Sequence, residues 1–259
     1  MVGRGEREGP NGKRQVYAFY RFEQLTARLQ PNAVIFSDIG PGCRWVGNER
    51  GLIETETNWC TLDTTGFQRG LGAPPHDTLN QGNVNGPLWI PAECDVGIRP
   101  GWFYHPQKDS LVKTPAQLLD IYLHSVGRGA NLILNVPPDR SGRFRPADSI
   151  ALVGLGQLLR QKLGHNLAKG KLHGWEINLG RKKRCNAVLL QEFIQQSQRV
   201  QSFEIEIWEN KAWREVARST TIAARKILPF PEVRTRKIKI TILAAKAAPQ
   251  RNPVQVYRL

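Results

Sequence analysis

No stretch of 18 uninterrupted apolar residues occurs in this chain, so no segment reads as a membrane-spanning helix. Met1 is followed by Gly3, Arg4, Gly5, Glu6 and Arg7, where a secretory leader would carry an apolar core, so no targeting segment is expected either. Cysteine is scarce: Cys43, Cys60, Cys94 and Cys185 stand far apart, without a CxxC or metal-ligand spacing. Their even number is compatible with disulfides, but free buried thiols are the expectation. There are five histidines. His76, in Pro74-Pro75-His76-Asp77, has no second histidine at helical or strand spacing and reads as an exposed loop residue. No metal site and no cofactor are expected.

Acidic residues are scarce in one half only. Residues 1–150 hold 16 Lys/Arg against 15 Asp/Glu, whereas residues 151–259 hold 21 against 7. A balance of +14 over the second half fits contact with a polyanion or an anionic glycan surface. Its cations, however, come as Lys182-Lys183-Arg184 between strand candidates and as Arg234, Arg236, Lys237 and Lys239 in a segment that continues into Ile238, Ile240 and Ile242. That pattern describes a solvated strand face, and no RNA- or DNA-binding motif accompanies it, so no specific nucleic-acid partner is expected.

What is present is an ordinary globular composition, 40% hydrophobic over 259 residues, enough for one barrel or two smaller domains. Phe19, Phe22, Leu25 and Leu29 recur at helical spacing, and Pro31-Asn32 breaks that helix before a buried strand at Ala33–Phe36. Leu88-Trp89-Ile90 reads as a short strand leading to the carboxylates Glu93 and Asp95. Pro115–Val126 reads as a helix, 131–135 as a strand and 147–163 as a helix. This alternation, with polar groups at strand ends, indicates a parallel α/β barrel. From about His173 the period changes to two, at Trp175, Ile177 and Leu179, at Val188–Leu190, at Phe203, Ile205 and Ile207, and at Ile238, Ile240 and Ile242. Turn residues such as Glu209-Asn210-Lys211 then point to an antiparallel β-sandwich. The join is expected between Gly164 and Lys171, giving domains at 1–165 and 172–259.

Four segments carry chemistry. Pro91-Ala-Glu-Cys-Asp-Val-Gly-Ile-Arg-Pro-Gly-Trp-Phe-Tyr104 sets carboxylates beside aromatics, as a sugar site requires, because aromatic faces pack on sugar C–H surfaces while carboxylates move protons. Ser125–Asp139 reads as a helix end, a glycine turn, a buried strand and a polar strand-end loop. With Trp45-Val-Gly-Asn-Glu-Arg-Gly51 and Glu54-Thr-Glu-Thr-Asn-Trp59, these segments resemble α-L-fucosidases of glycoside hydrolase family 29, in its plant-type and bacterial branch. The resemblance runs from about Gly9 to the C-terminus. It implies the C-terminal half of a (β/α)8-like barrel followed by an incomplete discoidin-like β-sandwich. It also implies retaining release of terminal α-L-fucose, preferably α1,3- or α1,4-linked, with fucosylated glycans as partners.

By the same resemblance Glu49 is the general acid/base, a role that needs a carboxyl able to hold a proton, which an aromatic, partly dry setting can supply. Glu54 and Glu56 compete for it. Trp102 is expected to pack on the fucose C6 methyl, although a tryptophan between barrel and helix would serve the core equally. Trp59, Glu93 and Arg99 are further substrate-side candidates, with Glu93 expected to hold Arg99.

The sequence also departs from the family. Glu8–Tyr17 matches the stretch just after the family's Trp-Phe-Asp-Gly nucleophile motif, so the nucleophilic aspartate falls on Gly3, and upstream fucose-binding histidines have no counterpart. A second gap falls at 169–175. A truncated barrel of four strands cannot close; an open edge, self-association and no stand-alone turnover are therefore expected. A catalytically dead glycan-binding protein is the alternative, and a polyanion-binding protein a weaker one. Family members are usually secreted or lysosomal/vacuolar, and the compartment of this chain is left open.

Overall fold

The computed structural model describes residues 17–69, 72–168, 172–173, 175–250 and 253–259, with the backbone alone at 172–173. The first part is built from β1 (Phe36–Ser37), β2 (Cys43–Trp45), β5 (Ala92–Gly97) and β6 (Asn131–Asn135), which form one sheet in that order with every pairing parallel. Between them, β3 (Thr61–Leu62) and β4 (Leu88–Trp89) make a separate antiparallel pair. Helices α3 (Pro115–His124) and α4 (Pro146–Leu163) pack on one face of the sheet through Leu118, Ala151, Leu152 and Leu155, which meet Ile98 and Leu134. Helix α3 starts where its sequence says it must: Thr114 and Gln117 form a reciprocal capping box and Pro115 takes the first turn.

Several expectations change. The apolar run at 88–90 belongs to the small antiparallel pair, and the acids Glu93 and Asp95 lie inside β5 rather than beyond a strand end. The strand expected at Ala33–Phe36 shrinks to Phe36–Ser37. His76 opens a short helix, α2 (His76–Gln81), instead of lying in a loop. Helix α1 (Phe19–Leu29) forms, but none of its residues is buried, and Tyr20, Phe22, Leu25 and Leu29 are exposed. Phe22, Leu25 and Leu29 of its stripe are therefore uncovered among the described residues, and an Arg69–Glu23 ion pair of 2.6 Å ties the helix to the loop after β3.

The second part is one antiparallel sheet, β10-β9-β11-β8-β12, built from β8 (Glu176–Leu190), β9 (Val200–Glu209), β10 (Ala212–Ser219), β11 (Lys226–Ala245) and β12 (Gln255–Tyr257), with β7 (Leu172–His173) against β8. Register breaks at Pro229/Val233 and Thr235/Lys237 bend the two long strands around a core of Ile177, Val188, Phe203, Ile205, Ile207, Ile238 and Ile240. The period-two segments at 175–179 and 188–190 are one strand. The β9–β10 turn uses Asn210 and Lys211, both at positive φ, the geometry that matches the twist of a tight hairpin. All four cysteines are free and buried. No helix among the described residues is long and apolar enough to cross a membrane.

The two parts are clasped by a buried polar cluster, among other contacts. The Lys226 side chain is 1% exposed and places Nζ 2.7 Å from Glu56 Oε2 and 2.7 Å from the Glu56 carbonyl. Arg128 holds the other carboxylate oxygen at 2.6 Å, and Ser219 Oγ donates at 3.0 Å. Gln198 bridges the Asn58 carbonyl and the Cys60 amide, each at 2.8 Å. Burial opposes ionisation of Glu56, but the Lys226 and Arg128 cations outweigh it and hold its carboxyl below the usual range. A depressed folded value stabilises the clasp above the unfolded value of about 4.3 and loses that contribution as pH falls through the folded value. The melting temperature should therefore drop on acidification from about pH 5 to about pH 3, and less steeply in Glu56→Gln. Parallel acid profiles for the two proteins in calorimetry would locate the sensitivity elsewhere.

Candidate active site

Three consecutive strand ends of the parallel sheet converge, the position at which parallel α/β folds assemble their sites. The loop after β2 carries Glu49. It is braced internally, with the Arg50 amide donating to Asn48 Oδ1 at 3.0 Å and Asn48 Nδ2 to the Leu52 carbonyl at 3.0 Å. Gly47 has φ +83°, and a Cβ there would lie 2.8 Å from the His76 ring, so glycine alone fits and the following residues turn outward. The loop after β5 carries Trp102, with Gly101 at φ +81° making the turn. Trp102 Nε1 donates to Glu49 Oε2 at 3.0 Å, and Asn135 at the end of β6 holds the Trp102 carbonyl at 2.9 Å. Glu49 and Trp102 thus face each other on one side of the strand ends. Glu49 is nonetheless exposed, with the Trp102 indole against one of its carboxylate oxygens.

A second indole–carboxylate pair lies beneath. Trp45 Nε1 donates to Asp95 Oδ1 at 2.8 Å, and Asp95 is 3% exposed. Burial raises the Asp95 pKa; the Trp45 hydrogen bond opposes that, and the negative charge of Glu49 adds to it. Asp95 thus senses the charge on Glu49 above it. Sequence reasoning noted Asp95 but did not select it as a site residue. The signal was its spacing: residues 93 and 95 share one face of a strand, which is informative only once both are placed inside it.

The other candidates are placed differently. Arg99 does not face a ligand and is not held by Glu93. Its side chain is fully buried, with Nη2 at 2.6 and 2.7 Å from the two Asp148 oxygens and Nη1 at 2.6 Å from Asp109. Asp148 sits in the first turn of α4, where a carboxylate is favoured, so Arg99 pins the Trp102 loop to the helix layer. Glu93 is buried on β5 and accepts from Cys43 Sγ at 3.3 Å. Burial first, and then Glu93, push that thiol up to about 12, which keeps it protonated and unreactive. Trp59 is 6% exposed and lies under the second domain, with Lys246 Nζ 5.7 Å from its ring centre. Glu54 is tied to Arg50 and lies 3.6 Å from His76 Nε2, while Glu56 belongs to the interdomain clasp. Gly3 lies outside the described residues.

The alpha-L-fucosidase family profile matches residues 22–163, and the F5/8 type C domain profile matches 164–254. Alpha-L-fucosidase 1 of Arabidopsis thaliana is 32% identical over 281 residues, covering 93% of this chain and 54% of the relative. A relative from Oryza sativa subsp. japonica is 34% identical, covering 92% and 52%. The chain thus spans about half the length of these relatives. A crystal structure of a glycoside hydrolase 29 family member from an unknown rumen bacterium superposes with a TM-score of 0.86 at 33% identity, covering 96% of this chain and 48% of that one. With a discoidin-like domain behind a domain whose strand ends present Glu49 and Trp102, the chain belongs to the alpha-L-fucosidases of glycoside hydrolase family 29.

Proposed function

We propose that this chain supplies the acid/base side of a retaining α-L-fucosidase site, acting on terminal α1,3- or α1,4-linked fucose of glycans. The observation that carries the reading is the Trp102–Glu49 hydrogen bond spanning two strand-end loops. Glu49 protonates the glycosidic oxygen as the C1–O bond breaks and a carboxylate nucleophile bonds C1; in the second step Glu49 takes a proton from the water that displaces that carboxylate. Trp102 lies against the sugar methyl while its N–H keeps the Glu49 carboxylate oriented. Asp95, anchored by Trp45, keeps a second carboxyl beneath the Glu49 loop.

In this reading the four parallel strands are part of a (β/α)8-like barrel, and the division from the discoidin-like domain lies between 165 and 172. Both sheet edges, β1 and β6, are unpaired among the described residues, and Ile133 is exposed on β6. These edges support self-association of the chain on its own. The family's secreted or lysosomal/vacuolar setting is the compartment this reading favours.

The nucleophile position falls on Gly3, which offers no oxygen to attack C1. Residues 1–259 alone should therefore release no fucose from a chromogenic α-L-fucoside above a blank, and Gly3→Asp should not restore release, because attack needs the sugar held about 3 Å from the nucleophile. Release by a purified, monodisperse preparation would overturn this placement. Position 3 also favours a second reading, glycan binding without turnover. Calorimetric binding of a fucosylated oligosaccharide by the inactive chain would support it.

A further inference from the structure

We propose that the outer face of the β8–β11 ribbon binds a linear carboxylate-bearing polysaccharide, independently of the fucose site. Arg184 and Arg234 are directly paired across the two strands, while Cys185 and Val233, the next pair, turn into the core. Like charges directly opposite one another destabilise a sheet, so this pairing has a cost that a bound anion would relieve. Beside it the register skips from Lys183 to Asn178 on β8 opposite Thr235 to Lys237 on β11, which brings exposed Arg181 and Lys182 next to exposed Arg236.

The side chains of Arg181, Lys182, Arg234 and Arg236 make no hydrogen bond or ion pair with any described residue. One carboxylate reaches this group: Glu232, 3.9 Å from Arg184 and 2.7 Å from Arg258. Six cations sharing one carboxylate leave most of their charge unmatched, and Glu232 itself shows the group that arginine forks accept there.

The dimensions favour a single chain. Two neighbouring strands are about 5 Å apart and alternate residues about 7 Å apart along a strand, so the cations form a narrow track. Duplex nucleic acid presents a groove about 12 Å wide, whereas this track is about one strand spacing across; the nearby Trp208 is already covered by Lys237, 5.9 Å from its ring centre, so it is not the open platform that single-strand readers use. Because no residue of the strand-end site takes part, this inference stands whether or not the chain hydrolyses fucosides.

The test measures binding of a fluorescent oligogalacturonate to the whole chain over a salt series. Arg181→Gln, Lys182→Gln, Arg234→Gln and Arg236→Gln combined should weaken it at least tenfold and flatten the log–log salt slope by about 3, taking the single-strand coefficient as a guide. A second variant with the same charge change on the first domain, at exposed Arg21, Arg28, Arg140 and Arg143, should leave binding unchanged. Equal loss in both variants, no binding by the parent, or tighter binding at equal salt to duplex DNA or to anionic phosphatidylserine vesicles would each overturn the proposal. Matching thermal melts of the two variants establish that the loss is not unfolding.

Discussion

Replacing Glu49 with glutamine should lower turnover of fucosides with poor leaving groups by roughly 100- to 10,000-fold, the usual effect of removing a general acid/base. The measurement needs a closed site, obtained by joining residues 9–259 to the upstream half of the Arabidopsis relative. Glutamine keeps the size of the side chain and leaves an oxygen for the Trp102 indole, 3.0 Å away in the parent, so the loop should keep its shape while losing its titrating proton. Activated aryl fucosides, whose leaving group departs unprotonated, should be far less affected in the first step. That split between substrates is the signature of lost proton transfer; a uniform loss would indicate damaged geometry instead. Unchanged rates on both would end the assignment of Glu49. Glu56 would then be a poor replacement, since Lys226 and Arg128 already neutralise it, and Glu54 would become the group to test.

The second large effect is on stability. Asp148→Asn should destabilise the fold by about 3–5 kcal/mol, because the Arg99 guanidinium, with no exposed side-chain surface, loses its bidentate carboxylate. Asp109 remains, but its side chain is one-third exposed and meets a different nitrogen. Urea unfolding at neutral pH provides the measurement. Arg99→Met together with Asp148→Leu should recover much of the loss, since removing both charges of a buried pair is often nearly neutral. A single variant within about 0.5 kcal/mol of the parent would show that water reaches Arg99.

Much of the architecture was legible in the sequence for local reasons. Thr114-Pro115 with Gln117 announces a capped helix, and Phe203, Ile205 and Ile207 announce a strand with one buried face; both are decided within a few residues. The strand-end site was less legible. Glu49 and Trp102, 53 positions apart, meet because the loops after two neighbouring parallel strands turn towards each other, which periodicity does not encode; the family resemblance located them. Arg99 looked like a ligand-facing residue because its partner Asp148 is 49 positions away. Trp59 looked exposed to substrate because the groups around it, Gln198 beside its neighbours and Lys246 over its ring, come from the other domain. Asp95 was hidden by a boundary error of a few residues, enough to move an acid from a strand's buried face to an imagined loop.

The clasp around Glu56 bears on how these two modules travel together through descent. Lys226 sits in the discoidin-like domain and its counter-charge in the first domain, so a recombination event at the linker would leave an enclosed ammonium with nothing to answer it. Anyone grafting a different module behind residue 163 must therefore transplant or erase both halves of that handshake at once.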